Sequence, residues 1–247
     1  MKNIKYNSYL AAESINRLDC EFINCKVKIY GTDESTFRIE RAPHSYIRIY
    51  EHDGILKLKQ LRKPFFHKAE IIVYAPVDVL YGAGLKIKRG SLEMDGVNCT
   101  DLHITGGEVS VSIANSSFSH ANVNLKTLKL DCADISFENS FICAADCGKV
   151  IMENSLCSKM DLTVKYGNLG ISRLKCRDGA YTVEEGSINL TLDGEEEDYS
   201  LSLLAKNGTC NRENASGGAY ALKAYTGNGN IVVDFNGKPD AEIYAGA

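Results

Sequence analysis

Apolar and polar residues alternate along most of this chain, and the alternation breaks every few residues at Gly, Asn, Asp or Ser. Leu18, Cys20 and Phe22 alternate with polar neighbours, as do Val27 and Ile29. A period of two marks strands with one buried face. Segments 37–39, 46–50, 55–58 and 70–76 predict further strands, and Pro76 ends the most continuously apolar of them. His52-Asp53-Gly54 predicts a tight hairpin, because Asp-Gly accepts the positive φ such turns need. Segment 61–68 is basic, contains Pro64 and ends that hairpin. Residues 1–16 carry little pattern and are expected to fray or pair weakly.

From Leu85 onward the pattern becomes a repeat. Gly148-Lys149-Val150-Ile151-Met152, Gly167-Asn168-Leu169-Gly170-Ile171 and Gly186-Ser187-Ile188-Asn189-Leu190 each place a glycine before an i, i+2 apolar pair. Similar units begin at Gly90, Gly107 and Gly229, and 24–29 reads as a divergent first copy with asparagine near the glycine position. The step from Val150 to Leu169 to Ile188 predicts coils of about 19–20 residues. No segment offers helical spacing over ten residues. The fold class is therefore all-β: a single-stranded β-helix, or solenoid, spanning 85–247, with an N-terminal β-sheet region, 1–84, leading into it as one continuous unit. Each apolar pair would point into the bore, and coils would stack ~4.8 Å apart. Between Val109 and Val150 two registers compete. One places the missing copy at Leu128-Lys129-Leu130, and the other aligns 135–140 with 150–155.

Charge narrows the function classes. The 247 residues carry a net charge of −4, with 28 basic and 32 acidic residues spread along the chain. No basic patch points to nucleic acid, and no basic amphipathic stretch points to a membrane surface. No apolar run reaches the ~18 residues of a membrane span. The first residues lack the apolar core of a secretory signal, so the expected location is cytoplasmic.

Nine cysteines, at 20, 25, 99, 132, 143, 147, 157, 176 and 210, form no C-x-x-C pair. Their apolar context predicts buried reduced thiols rather than a metal site. Cys99, Cys157 and Cys176 each follow Met94, Met152 and Ile171 by five residues, which predicts one column of small apolar groups at a corner.

Candidate chemistry is sparse. A nucleophile elbow, a P-loop and a dinucleotide fingerprint are all missing. His103 and His120 could share an outward face, although nothing else of ligand type joins them; the other histidines, at 44, 52 and 67, are scattered. Asp101, Asp134 and Asp178 each follow a cysteine by two residues. Stacked on adjacent coils they would form an acidic cleft of the kind glycoside hydrolysis uses. As turn aspartates bonding their own backbone they would do no chemistry, and this second reading is favoured. The lack of tryptophan also weakens a sugar-stacking role. The acidic turn 193–198 is expected to solvate an edge, and the polar loop 206–218 is the expected mobile segment.

The order of elements resembles the bacterial adhesin-like β-solenoid family, a domain of unknown function. The resemblance rests on "INCKVKIYG", "AEIIVYAPVDV", "LKIKRGSLEMDGV", "KYGNLGISRL", "EEGSINLTL" and "TGNGNIVVDF", and covers residues 18–236. It implies a non-enzymatic adhesin-like binding protein associated with a bacterial cell envelope, with no catalytic, cofactor-binding or metal-binding residues to carry over. The expected partner is a protein or a glycan, with no nucleic acid, no direct membrane segment, no cofactor and no metal. Two alternatives remain: a carbohydrate-active solenoid enzyme using Asp101, Asp134 or Asp178, and a scaffold that self-associates through uncapped end coils. Against the scaffold stand two candidate caps, the region before Leu85 and the tail after Ile243.

Overall fold

The computed structural model describes residues 6–43, 46–61, 69–78 and 80–237. Thirteen strands form one sheet, and among the described residues the only helical turn is a 3₁₀ segment at Glu196–Asp198. The first seven strands are β1 (Tyr6–Leu10), β2 (Arg17–Phe22), β3 (Cys25–Thr32), β4 (Arg38–Pro43), β5 (Ile47–His52), β6 (Ile55–Gln60) and β7 (Ala69–Pro76). The remainder are β8 (Gly82–Asp95), β9 (Asn98–Glu185), β10 (Ile188–Leu192), β11 (Tyr199–Asn207), β12 (Tyr220–Asn228) and β13 (Ile231–Phe235). The last predicted strand, 242–244, and the basic segment 62–68 lie outside the described residues.

β8 and β9 are long because their ladder continues around corners. Gly90 pairs with Val109, Leu92 with Val111 and Met94 with Ile113, all parallel. Further along β9, side chains on successive turns meet at separations of 19 or 20 residues. This is the β-solenoid the repeat predicts. One turn shows its logic. Ala121, Val123 and Leu125 are buried, then Leu128, Leu130 and Cys132, then Ile135 and Phe137. Exposed residues at 126–127, 134 and 138–139 are the corners, after each of which the alternation restarts. Three short walls thus enclose one bore. Large side chains stack along it: the Phe137 and Phe141 ring centroids lie 4.5 Å apart, and Phe118 stacks on Phe137 at 5.9 Å. Each such burial contributes ~1.5–3 kcal/mol.

The register between Val109 and Val150 advances by 19 or 20 residues per turn, and Leu128 takes the glycine position, against Gly148, two residues before the place its unit implied. The corner residues Asn115, Asp134, Asn154 and Arg173 all have positive φ, between 48° and 54°, and recur once per turn. Asn154 bonds Asp134, and Ser158 bonds the Glu138 carbonyl, each across 20 residues. Ile135 therefore stacks against Ser155, and the alignment of 135–140 with 150–155 is overturned. The Gly107 unit is corrected as well. Gly90 pairs with Val109, so Gly107 sits two residues earlier than its apparent equivalent and stacks on Lys88. A glycine-apolar motif is too short to distinguish these two positions.

At both ends the spatial order departs from the chain order. β2 and β3 form the first turn, and β8 stacks on one side of it. In that pairing Cys25, rather than Asn24, takes the Gly90 position, with Val27 and Ile29 under Leu92 and Met94. β6 and β7 stack parallel on the other side, so the first turn is an inner layer. Antiparallel strands then close this end: β5 on β6, β4 on β7 and β1 on β4. β1 has no periodic signature in the sequence, because it borders the sheet and is held by its partner. The Asp53-Gly54 turn has φ of 49° and 74°, as the hairpin requires.

The other end is interleaved too. β10 follows β9 onto the stack, but β11 skips a layer that β12 then fills, and β13 closes over β10.

Gln60 shows how the N-terminal turns are tied together. It is buried, and its Oε1 accepts from the backbone N–H groups of Ile23 (2.8 Å) and Asn24 (2.9 Å) at the corner between β2 and β3. Gln60→Ala would leave two corner donors without their acceptor. A loss of about 2 kcal/mol is expected, read by chemical denaturation. An unchanged midpoint would refute the assigned role.

Candidate functional site

The outward residues of each turn form columns that run along the axis at one side chain per turn. The structure places the three candidate aspartates on these columns without joining them. Asp101 pairs with Gly82 and lies one turn from His120, which in turn bonds Ser140 (Nδ1 to Oγ, 3.0 Å). Continuing the step of 19 or 20 residues reaches Lys159 and then Asp178, so Asp101 and Asp178 stand four turns, ~19 Å, apart. Asp134 is on a different corner, where positive φ and the contact with Asn154 identify it as a turn residue. No acidic cleft forms from these three.

His103 pairs with Gly84, so it and His120 fall on neighbouring columns rather than one. A shallow hollow of about 240 Å³ does bring His103 and Asp101 together with Arg17 and Asp19, over the backbone of Gly82 and Gly84. His44 and His67 lie outside the described residues. Among the described residues no three His, Cys, Asp or Glu side chains are grouped to hold a metal. The acidic turn is built into the end of the stack: Tyr199 donates to the Asp193 carbonyl (2.7 Å), and Glu196 pairs with Arg212 (3.1 Å).

The cysteine column is present and more varied than its spacing implied. By the turn register it reads Cys99, Phe118, Phe137, Cys157 and Cys176, so phenylalanines replace the small group on two turns. Cys157 Sγ lies 2.9 Å from the Lys159 carbonyl oxygen, and interaction with the neighbouring Cys176 thiol together with burial pushes the Cys157 thiol far up. The same interaction draws Cys176 down against its burial. Burial pushes Cys25, Cys99 and Cys143 up to about 12. Cys147 is exposed and Cys210 half-buried, whereas the other seven thiols are buried. In native protein, therefore, a thiol reagent such as DTNB should modify no more than Cys147 and Cys210 quickly, with the rest reacting on unfolding. Rapid native reaction of more than two thiols would contradict this packing.

The loop 206–218, expected to be mobile, is instead pinned across the last turn. Asn211 accepts from Val233 N–H (2.8 Å) and donates to the Val233 carbonyl (3.1 Å). Asn214 accepts from Leu203 N–H at 2.6 Å, and Leu201 and Ala215 exchange backbone bonds of 2.9 and 3.1 Å. The loop thus pairs the outer edges of both β11 and β13. Polarity alone could not reveal this, because its side chains act as substitutes for a missing strand.

One concavity combines charge with shape. A groove of about 520 Å³ runs beside the corner that follows β2, lined by Glu21, Phe22, Ile23, Lys86, Lys88, Arg89, Gly106, Gly107, Glu108 and Lys126 among others. Arg89 holds Glu108 through two bonds of 2.9 and 3.1 Å, and Lys59 holds Glu21 at 2.9 Å. Gly106 has φ of 158°, and a Cβ there would lie 1.7 Å from the Ile87 carbonyl oxygen. The chain approaches itself so closely that this rung has no side chain, and the gap is the groove. The sequence shows Lys86, Lys88 and Arg89 as neighbours, but Lys126 joins them only through winding.

The fold defines the molecule as a capped β-solenoid. The chain belongs to the Toastrack DUF4097 family, whose model matches residues 27–245. No curated protein matches it. Solved structures that resemble it include a "putative cell adhesion protein" from Clostridium sporogenes, at 13% identity and a TM-score of 0.35, covering 94% of this chain and 100% of the other. A "putative adhesin" from Bacteroides fragilis is 11% identical with a TM-score of 0.47, covering 93% and 97%. A "putative lipid binding protein" from Parabacteroides distasonis is 11% identical with a TM-score of 0.43, covering 93% and 97%. Among the described residues no helix is long and apolar enough to cross a membrane.

Proposed function

We propose that the chain is a non-catalytic binding module of a bacterial cell envelope, adhesin-like in that it presents a rigid surface to a glycan or protein. The supporting observation is the set of outward columns: side chains recur once per turn on a stiff frame, so a ligand with its own repeat can contact many at once. Self-assembly is the weaker reading, since antiparallel strands cover one end of the stack and the 206–218 loop covers the other. Catalysis through Asp101, Asp134 and Asp178 has no shared cleft to support it.

The test is a panel of immobilised cell-envelope glycans and matrix proteins, probed with the full chain and assayed in parallel for glycan cleavage. Binding without cleavage supports the module. Cleavage that is lost in Asp101→Asn, Asp134→Asn or Asp178→Asn would instead establish the enzyme, and binding to nothing would remove the proposal.

A further inference from the structure

We propose that the groove between Lys86, Lys88 and Lys126 binds a linear polysaccharide bearing carboxylates along its length. This inference rests on the binding-module reading and names its ligand. The groove holds two carboxylates, and each already has a cation: Glu21 has Lys59, and Glu108 has Arg89. Asp146, the next acid along from Lys126, is held by Lys165 at 2.8 Å. Among the described residues Lys86, Lys88 and Lys126 form no ion pair of their own, and all three are exposed. Lys86 and Lys126 act on Glu21 and Asp146 only at longer range, and each of those acids has its contact partner in Lys59 or Lys165, so the three ammonium groups keep open sides for an incoming anion.

Shape selects a chain rather than a surface. Lys88 and Lys126 stand on the turns either side of Gly107, ~9.6 Å apart at the stacking distance. Gly107 itself presents no side chain between them. A strand of polymer fits that gap, whereas a flat bilayer would rest on its rims. A second hollow, of about 360 Å³, shares Gly106 and Lys126 and continues past Asp146 and Thr163 to Lys165. Together the two hollows form a track along the solenoid axis.

The half-buried Ile23 on the floor offers apolar contact for the C–H face of a sugar ring. Phe22 is only 2% exposed, so no aromatic face among the lining residues is open for the base stacking that single-stranded nucleic acid uses.

The net charge of −4 does not oppose this assignment. The acidic turn at 193–198 lies three or more turns beyond Lys126, at least ~14 Å along the axis, and the screening length in physiological salt is ~8 Å. Local cations therefore set the field an approaching polymer meets.

Isothermal titration with polygalacturonate tests the assignment, with neutral dextran and phosphatidylglycerol vesicles as comparison ligands. Polygalacturonate should bind, more weakly as salt is raised, while dextran and vesicles should not match it. The triple variant Lys86→Gln, Lys88→Gln, Lys126→Gln should lose about tenfold in affinity or more at an unchanged melting temperature. Removing the same number of charges elsewhere, with Lys129→Gln, Lys149→Gln and Lys223→Gln, should leave affinity intact.

Equal loss in both triple variants, or equal binding of dextran or vesicles, would overturn the site. A chain that ignores polygalacturonate but binds other members of the panel would overturn the groove assignment alone. One that binds nothing would overturn the module as well.

Discussion

Gly186→Val is expected to lower the melting temperature by about 10 °C or more. Gly186 has φ of 138°, and a Cβ added there would lie 1.6 Å from the Gly167 carbonyl oxygen of the turn below. Two costs add. Such backbone conformations cost ~1–3 kcal/mol for a residue with a side chain. The contact itself cannot be relieved by rotating a side chain, since the obstacle is backbone, so the turns must part and lose ladder bonds worth ~1 kcal/mol each. The sum is about 4 kcal/mol, and in a chain of this size each kcal/mol shifts melting by ~2–4 °C.

Gly96→Asn is the matching control. Gly96 has φ of 64° with nothing within 4 Å of its Cβ position, and the next turns place Asn115, Asp134, Asn154 and Arg173 at that corner. The effect of this change should stay within ~1 kcal/mol. Thermal denaturation of both variants checks the pair. Similar losses in the two would show that the corners are not distinct in kind.

Excising the loop segment 209–216 and closing it with a short linker should produce concentration-dependent association beyond that of the intact chain. The segment accepts from Ile231 N–H at Thr209 O (2.9 Å), donates Asn211 N–H to Ile231 O (3.2 Å), and exchanges both bonds between Leu201 and Ala215. It also carries the Asn211 and Asn214 side chains that serve Val233 and Leu203. Without it, β11 and β13 present open edges, which template pairing with another chain. Light scattering after size exclusion, across a concentration series, reads the outcome. A variant that associates no more than the intact chain and melts unchanged would show that the loop is not the cap. Asn211→Ala alone should cost about 2 kcal/mol, as two bonds to one strand residue are lost together.

Much of the architecture is legible because the solenoid core is made by local alternation. Val150, Leu169 and Ile188 recur every 19 residues because each must face the same bore, and a one-residue slip would turn the pair outward. The corner asparagines and aspartates are visible for a similarly local reason, since they tolerate positive φ. Where the sequence reading fails, the deciding contact is remote. Gly107 looks equivalent to Gly90 by its neighbours, yet pairing with β8 sets it two residues away. β1 carries no pattern because its strand character comes from β4. The acidic candidates share a local motif, but Asp134 falls on a different corner and Asp101 and Asp178 stand four turns apart. The basic groove escapes notice because its charge is assembled across turns and part of it is masked by Glu21 and Glu108.

By itself, then, the sequence determined the all-β class, the 19-residue turn, the inward positions and the corners, since each follows from the conformational and solvation preferences of residues close in the chain. Only the tertiary structure decided the layer order at the two ends, the capping role of 206–218 and the groove at Lys86, Lys88 and Lys126. Those features depend on which turn lies beside which. Stacking is an agreement among backbone groups from 19 to 65 residues apart, as for Arg89 with Glu108 and Cys25 with Gly90. No local preference encodes the partner of an edge. It is settled by which strands remain unpaired when the core has closed.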